Sequence, residues 1–169
     1  KICEDIDIII HTAGMNSKDC TNDPIGADLC NHINTRKISQ IASISRVKKF
    51  IYLSTVHVYS SKLDGTIDEK TLTENSHPYA LTHKYGEIAV DDASTKSLMK
   101  TIVVRLSNVF GTQVFINNNC WDLLINNLCQ EVTKHKTLTV NSDGSDLRDF
   151  ISIENFMKSM EIIISSDLC

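Results

Sequence analysis

The chain has no long apolar run. Its apolar runs, such as those at residues 8–10 and 162–164, are far too short to span a bilayer, so no membrane partner is expected. It has no CxxC pair either. Its cysteines stand apart at 3, 20, 30, 120, 129 and 169, and no Cys/His set has zinc-ligand spacing, which argues against a metal site. Scattered thiols of this kind fit a reducing compartment, and a cytoplasmic location is expected. Basic clusters are missing too. The longest, "RVKK" at 46–49, reads as a solvated helix end before a strand. With a formal net charge of −4, the chain offers no patch to neutralise phosphates, which argues against a nucleic-acid partner. There is no internal repeat and no low-complexity tract.

What is present is a chain of 169 residues, 41% hydrophobic and 22% charged, enough for an ordinary globular core. "DIDIII" (5–10) predicts a strand covered on both faces. Asn22, Asp23, Pro24 and Gly26 mark a turn-rich stretch after it. The pattern over 27–45 predicts a helix with Leu29, Ile33, Ile41 and Ile44 near one face. Strands follow at 49–54 ("KFIYLS") and 100–107 ("KTIVVRLS"), separated by a polar loop (60–77) and a helix over 78–96. Pro78 suits that helix's first turn. This alternation predicts an α/β fold, a parallel sheet with helices on both faces. Residues 121–132 then repeat apolar positions at helical spacing. "TLTV" (137–140) and "DFISI" (149–153) read as two short strands around a turn, with a last helix over 154–165. "INNNC" (116–120) reads as a helix start.

Three features carry chemistry. "LSTVHVY" presents Ser54 and Thr55 at the carboxyl end of a strand, where open α/β sheets place ligands. Tyr79 opens a helix, with His83 one turn on and on the same face. "RLSNVFG" puts Asn108 at the end of a third strand. A phenol is a poor acid–base group at neutral pH unless a cation or a hydroxyl donor stabilises its ionised form. Thr55 is such a donor. His83 supplies charge only when protonated, but bonds a sugar hydroxyl in either state.

These motifs resemble the extended short-chain dehydrogenase/reductase family of nucleotide-sugar epimerases and dehydratases. "DIIIHTAG" (7–14), "NHINT" (31–35), "VKKFIYLSTVHVYS" (47–60), "PYALTHKYGE" (78–87), "VVRLSNVFG" (103–111) and "DGSDLRDFISIEN" (143–155) keep family order and spacing. The resemblance implies a partial Rossmann-like doubly wound sheet over 1–112 and part of a small C-terminal substrate-binding region over 113–169. It implies NAD or NADP as cofactor and a nucleotide sugar as substrate, with turnover by epimerisation or keto-reduction. Tyr79 would be the acid/base, with Thr55 its hydroxyl partner and His83 in the place of the family's lysine. Thr12, Ala13, Gly14, Asn31, Ser54 and His83 would line the cofactor, and Asn108 and Arg148 would hold the nucleotide sugar. A homodimer through helices 27–45 and 78–96 is implied as well.

Two departures matter. The dehydratase branch carries an Asp-Glu pair after the threonine. Here Val56 and His57 stand there, which disfavours dehydration. Lys84 cannot replace the missing lysine, because one residue turns a side chain by roughly 100° around a helix. The alternative function is therefore a catalytically impaired member of the same fold, acting as a binding or regulatory protein. The family's glycine-rich phosphate-binding turn does not occur in these residues, and the chain reads as a piece of a longer protein. Titrated calorimetrically with NAD, the 169 residues are accordingly expected to bind weakly or not at all. Micromolar affinity would overturn that expectation.

Overall fold

A computed structural model describes residues 3–60, 62–112, 121, 123–140, 143–145 and 147–167. They form two compact units, one of residues 1–106 with 167–169 and one of residues 107–166.

The first unit is built on a three-stranded parallel sheet in the order β1 (Ile8–His11), β2 (Lys49–Thr55), β3 (Lys100–Leu106). The register sets His11 beside Tyr52, Tyr52 beside Val103, and Ser54 beside Arg105. The turn-rich stretch after β1 is helical, contrary to the expectation above. It forms α1 (Ser17–Asn22) and α2 (Pro24–Ala27). Its turn residues act as caps: Asn16 accepts from the Asp19 N–H at 2.9 Å, and Asp23 from the Gly26 N–H at 2.9 Å. Asn, Asp and Pro favour caps and turns for the same reason, so composition alone does not separate the two.

From α2 the chain runs through a π-helical segment (Asp28–Asn34) into α3 (Thr35–Ile44). Its buried face is not the expected apolar stripe. Ile44 is 83% exposed and Leu29 52%, whereas Ala27, Asn31, Thr35, Ser39 and Ala42 are buried. Small and polar residues at this spacing let α3 pack closely on α4 (Pro78–Ser94). Successive strands that are also neighbours, joined by crossovers of one hand, put both connecting helices on one face of the sheet. On that face Phe50, Tyr52, Ala42, Val90, Ala93 and Met99 form the core. On β1 the opposite face carries Ile8 and Ile10, which are partly exposed, so this strand is not covered on both sides among the described residues.

α4 grades from polar to apolar along its buried side. Thr82, His83, Gly86 and Glu87 are buried in its first half, and Ala89, Val90 and Ala93 in its second. Glu87 is the polar anchor. It accepts from the Ser54 hydroxyl at 2.5 Å and from Arg105 at 2.7, 3.1 and 3.2 Å. Arg105 also donates to the Tyr59 hydroxyl at 3.0 Å, and its guanidinium lies 4.8 Å from that ring's centre. One ion pair thus joins α4, β2, β3 and the loop after β2.

The second unit contains β4 (Asn108–Phe110), α5 (Leu124–His135), β5 (Phe150–Ser152) and α6 (Ile153–Ser165). The expected hairpin of 137–140 with 149–153 is not formed. Residues 137–140 have no strand structure, and β5 pairs in parallel with β4 instead. Asn108 clamps this pairing, its side-chain amide donating to the Asp149 carbonyl at 2.9 Å. The sequence "RLSNVFG" reads as one strand and its rim, but after Leu106 the chain starts a new strand in a different sheet. The expected helix start at 116–120 lies outside the described residues.

Gly86 is the tightest point of the first unit. A Cβ there would collide with the Tyr52 hydroxyl and lie 2.8 Å from the Asn31 carbonyl oxygen. Gly86→Ala should gain about 1 kcal/mol of helix propensity. Overpacking costs about 1–3 kcal/mol and dominates. Urea denaturation is therefore expected to show a net loss of stability. A more stable variant would mean that α4 is free to lift from the sheet.

Candidate functional site

The carboxyl ends of the strands and the amino end of α4 meet at one rim. β2 ends at Thr55, whose hydroxyl accepts from the His57 N–H at 3.2 Å and so caps a short 3-10 turn (Val56–Val58). The same hydroxyl stands beside the Tyr79 phenol and acts to lower its pKa. Tyr79 is placed by the cap of its helix: its N–H donates to His77 Nδ1 at 3.2 Å. With Nδ1 accepting, His77 Nε2 carries the proton and donates to Thr21 Oγ1, 3.1 Å away, which fastens α1 to the start of α4.

His83 lies one turn on, its ring centre 4.6 Å from that of Tyr79 in an edge-on contact. Its Nδ1 is 3.1 Å from the Tyr52 hydroxyl. Its Cε1 faces Gly14, where a Cβ would lie 3.4 Å from that atom and 3.4 Å from the Asn31 amide oxygen. Asn31 holds the loop from inside: its Oδ1 accepts from the Met15 N–H at 2.7 Å, and its Nδ2 donates to Thr82 Oγ1 at 3.0 Å. Thr35 stands near Tyr52 as well, its hydroxyl 2.9 Å from His11 Nε2.

Of the residues expected at the site, Thr55, Tyr79, His83, Gly14 and Asn31 are brought together. Thr12 and Ala13 belong to the same exposed loop as Gly14. Ser54 is turned the other way, its buried hydroxyl under α4 on Glu87. Asn108 and Arg148 belong to the second unit, Asn108 as the strand clamp and Arg148 exposed just ahead of β5. His57 sits with its ring centre 6.3 Å from that of Tyr79. Lys84 is directed away from the rim, its ammonium donating to the Thr73 carbonyl at 2.6 Å. Sequence reasoning passed over Tyr52, Thr35 and His11. The legible signal was Gly86, since a glycine inside a helix marks a close approach.

The electrostatics follow from burial. Burial pushes the Tyr79 phenol above its ordinary value, and the Thr55 hydroxyl draws it only part of the way back. Burial pulls His83 down to about 4, opposed by the Glu87 carboxylate and assisted by His11. His11 is lowered by burial as well. At neutral pH the rim therefore holds a neutral phenol beside a neutral imidazole. Among the described residues no three His, Cys, Asp or Glu side chains gather to hold a metal ion, and no helix is long and apolar enough to cross a membrane.

A model of the NAD dependent epimerase/dehydratase family matches residues 1–167. The dTDP-D-glucose 4,6-dehydratase of Dictyostelium discoideum is 25% identical over 176 residues, covering 95% of this chain and 39% of that protein. A UDP-N-acetylglucosamine 4-epimerase from Methanobrevibacter ruminantium M1, solved with UDP-N-acetylmuramic acid, has a TM-score of 0.89 at 21% identity. It is matched over 99% of this chain and 54% of that one. The UDP-glucuronic acid 4-epimerase of Bacillus cereus, solved with UDP-glucuronic acid and NAD, has a TM-score of 0.86 at 22% identity. Coverage there is 99% of this chain and 52% of that one. The chain thus spans about half the length of these structures, or less of the curated relative. The structural likeness shows the fold, an α/β arrangement of the Rossmann type.

Neutral, buried His83 has a consequence for stability. Above pH 6.5 the imidazole is neutral both folded and unfolded and contributes nothing. As the pH falls from 6.5 to about 4, the unfolded chain takes up a proton that the folded one refuses. Stability should drop over that window by on the order of 3 kcal/mol. Denaturant melts at stepped pH are expected to show this slope, and His83→Gln to flatten it, leaving the smaller share of His11. An unchanged slope in the variant would place the titration elsewhere.

Proposed function

The chain belongs to the NAD dependent epimerase/dehydratase family, and from that premise we propose that it carries the proton-transfer half of a nucleotide-sugar epimerase or keto-reductase site. The observation that carries this reading is the placing of the Tyr79 phenol beside the Thr55 hydroxyl at the rim of the sheet, with His83 edge-on against the phenol ring. The residues fit a nicotinamide dinucleotide at one edge. Gly14 leaves space that a side chain would fill against Asn31 and His83, and the loop of Thr12 and Ala13 is exposed there. Bound at that edge, NAD or NADP supplies the acceptor and donor of hydride.

The chain's own groups handle the proton. In its phenolate form Tyr79 would take it from a sugar hydroxyl and become the neutral phenol, and Thr55 would stabilise the phenolate beforehand by donating to its oxygen. Asn31 holds the Gly14 loop in place. Nothing after Thr55 offers a carboxylic acid to expel water, because Val56 and His57 form the 3-10 turn. This favours epimerisation or keto-reduction over dehydration. Asn108 and Arg148 remain the proposed contacts to the nucleotide sugar. The proposed homodimer would cover α3 and α4, which leave Ile41, Ile44 and Ile88 exposed. A cytoplasmic site of action belongs to the same reading.

A second reading is favoured by the electrostatics. A neutral imidazole does not lower the phenol's pKa as an ammonium does, and burial raises it. The protein would then bind its ligands with little turnover. Assays of the complete protein with NAD and a panel of UDP- and dTDP-sugars separate the two. If Tyr79 is the acid/base, Tyr79→Phe should lower kcat by about 100-fold or more, with dinucleotide binding kept. His83→Lys should lower kcat if the histidine is adapted to its place and raise it from near zero if it is a loss. Unaltered turnover in Tyr79→Phe would end the first reading.

A further inference from the structure

The Tyr52 hydroxyl has one proton and two polar neighbours within hydrogen-bond reach. The Asn31 carbonyl is at 3.5 Å, and His83 Nδ1 is at 3.1 Å. The carbonyl contact is at the outer limit of a hydrogen bond, so the phenolic proton goes to Nδ1. An imidazole that accepts at Nδ1 and carries one proton bears it on Nε2. That atom lies 3.6 Å from where a Gly14 Cβ would be.

We propose that Tyr52 is a positioning residue: seated under α4 at Gly86, its hydroxyl fixes His83 as an Nε2–H donor aimed at the Gly14 edge of the site. The steric evidence is independent of the hydrogen bonds. Only glycine at 86 leaves room for the phenol oxygen between α4 and the carbonyl of Asn31. The π-helical segment that contains Asn31 shifts the backbone pairing at that same point, a distortion frequent at functional sites. His83 replaces a charged donor by a neutral one of fixed direction. What the donor meets, the dinucleotide, rests on the reading given under Proposed function. The tautomer itself does not.

Ring nitrogen NMR of the protein labelled at histidine tests this, with the His83 signals assigned by their loss in His83→Gln. In the parent, at neutral pH, Nδ1 should give a pyridine-type signal and Nε2 a pyrrole-type one. Tyr52→Phe keeps the ring but removes the hydroxyl, and the two nitrogens should move toward averaged shifts. In the complete protein that variant should weaken NAD binding several-fold, and Tyr52→His, which restores a donor, should recover part of it. A parent His83 protonated on Nδ1, or shifts unchanged in Tyr52→Phe, overturns the proposal. The parent spectrum alone suffices for refutation if a variant does not fold. A fixed Nε2–H without any dinucleotide binding upholds the positioning and sinks only the functional reading it rests on.

Discussion

Everything at the rim depends on how closely α4 approaches the sheet at Gly86. With no side chain there, the Tyr52 hydroxyl reaches between the helix and the Asn31 carbonyl. That contact sets the height and rotation of α4 over β2. Once they are set, the positions one turn earlier on the same face present His83, and two turns earlier Tyr79. Tyr79 then meets Thr55 because both the strand and the helix reach the rim at that level. A larger residue at 86 would move all three groups at once, without touching any of them directly.

Replacing a lysine by a histidine changes more than one side chain. An ammonium in this position would need solvent or an anion to tolerate burial, and it would lower the pKa of the neighbouring phenol. The imidazole avoids that cost by staying neutral, which burial enforces. It keeps the ability to donate one hydrogen bond in a fixed direction. Lys84 offers no compensation, since it is held by the Thr73 carbonyl on another side of the helix. The consequence is a phenol whose ionisation rests on Thr55 alone, against the desolvation that opposes it.

Much of the fold was legible because its elements are local. The strands at 49–55 and 100–106 and the helix from Pro78 follow from apolar runs and a proline at a first turn. That Thr55, Tyr79 and His83 come together at one rim was legible by resemblance, as the spacing of motifs survives even where one residue differs. What was not legible is the packing of α3. An apolar stripe predicts a buried face, yet the residues that face α4 are Asn31, Thr35, Ser39 and Ala42, because close helix contact selects for small side chains. The pairing of β4 with β5 was missed for another reason. Three-residue strands far apart in sequence have no periodicity to read, and a parallel pairing leaves no turn signature. Caps that look like turns account for the missed α1.

Two kinds of buried polarity sit side by side on α4, and their separation explains why His83 stays neutral. Glu87 lies one turn beyond His83, and its carboxylate draws a proton toward the imidazole. Arg105 engages both oxygens of that carboxylate at 2.7 to 3.2 Å. The positive charge beside the negative one leaves a dipole rather than a net charge, and a dipole's field falls off faster with distance. Burial then outweighs the residual attraction. The ion pair anchors the helix, and burial keeps the histidine next to its carboxylate from becoming a cation.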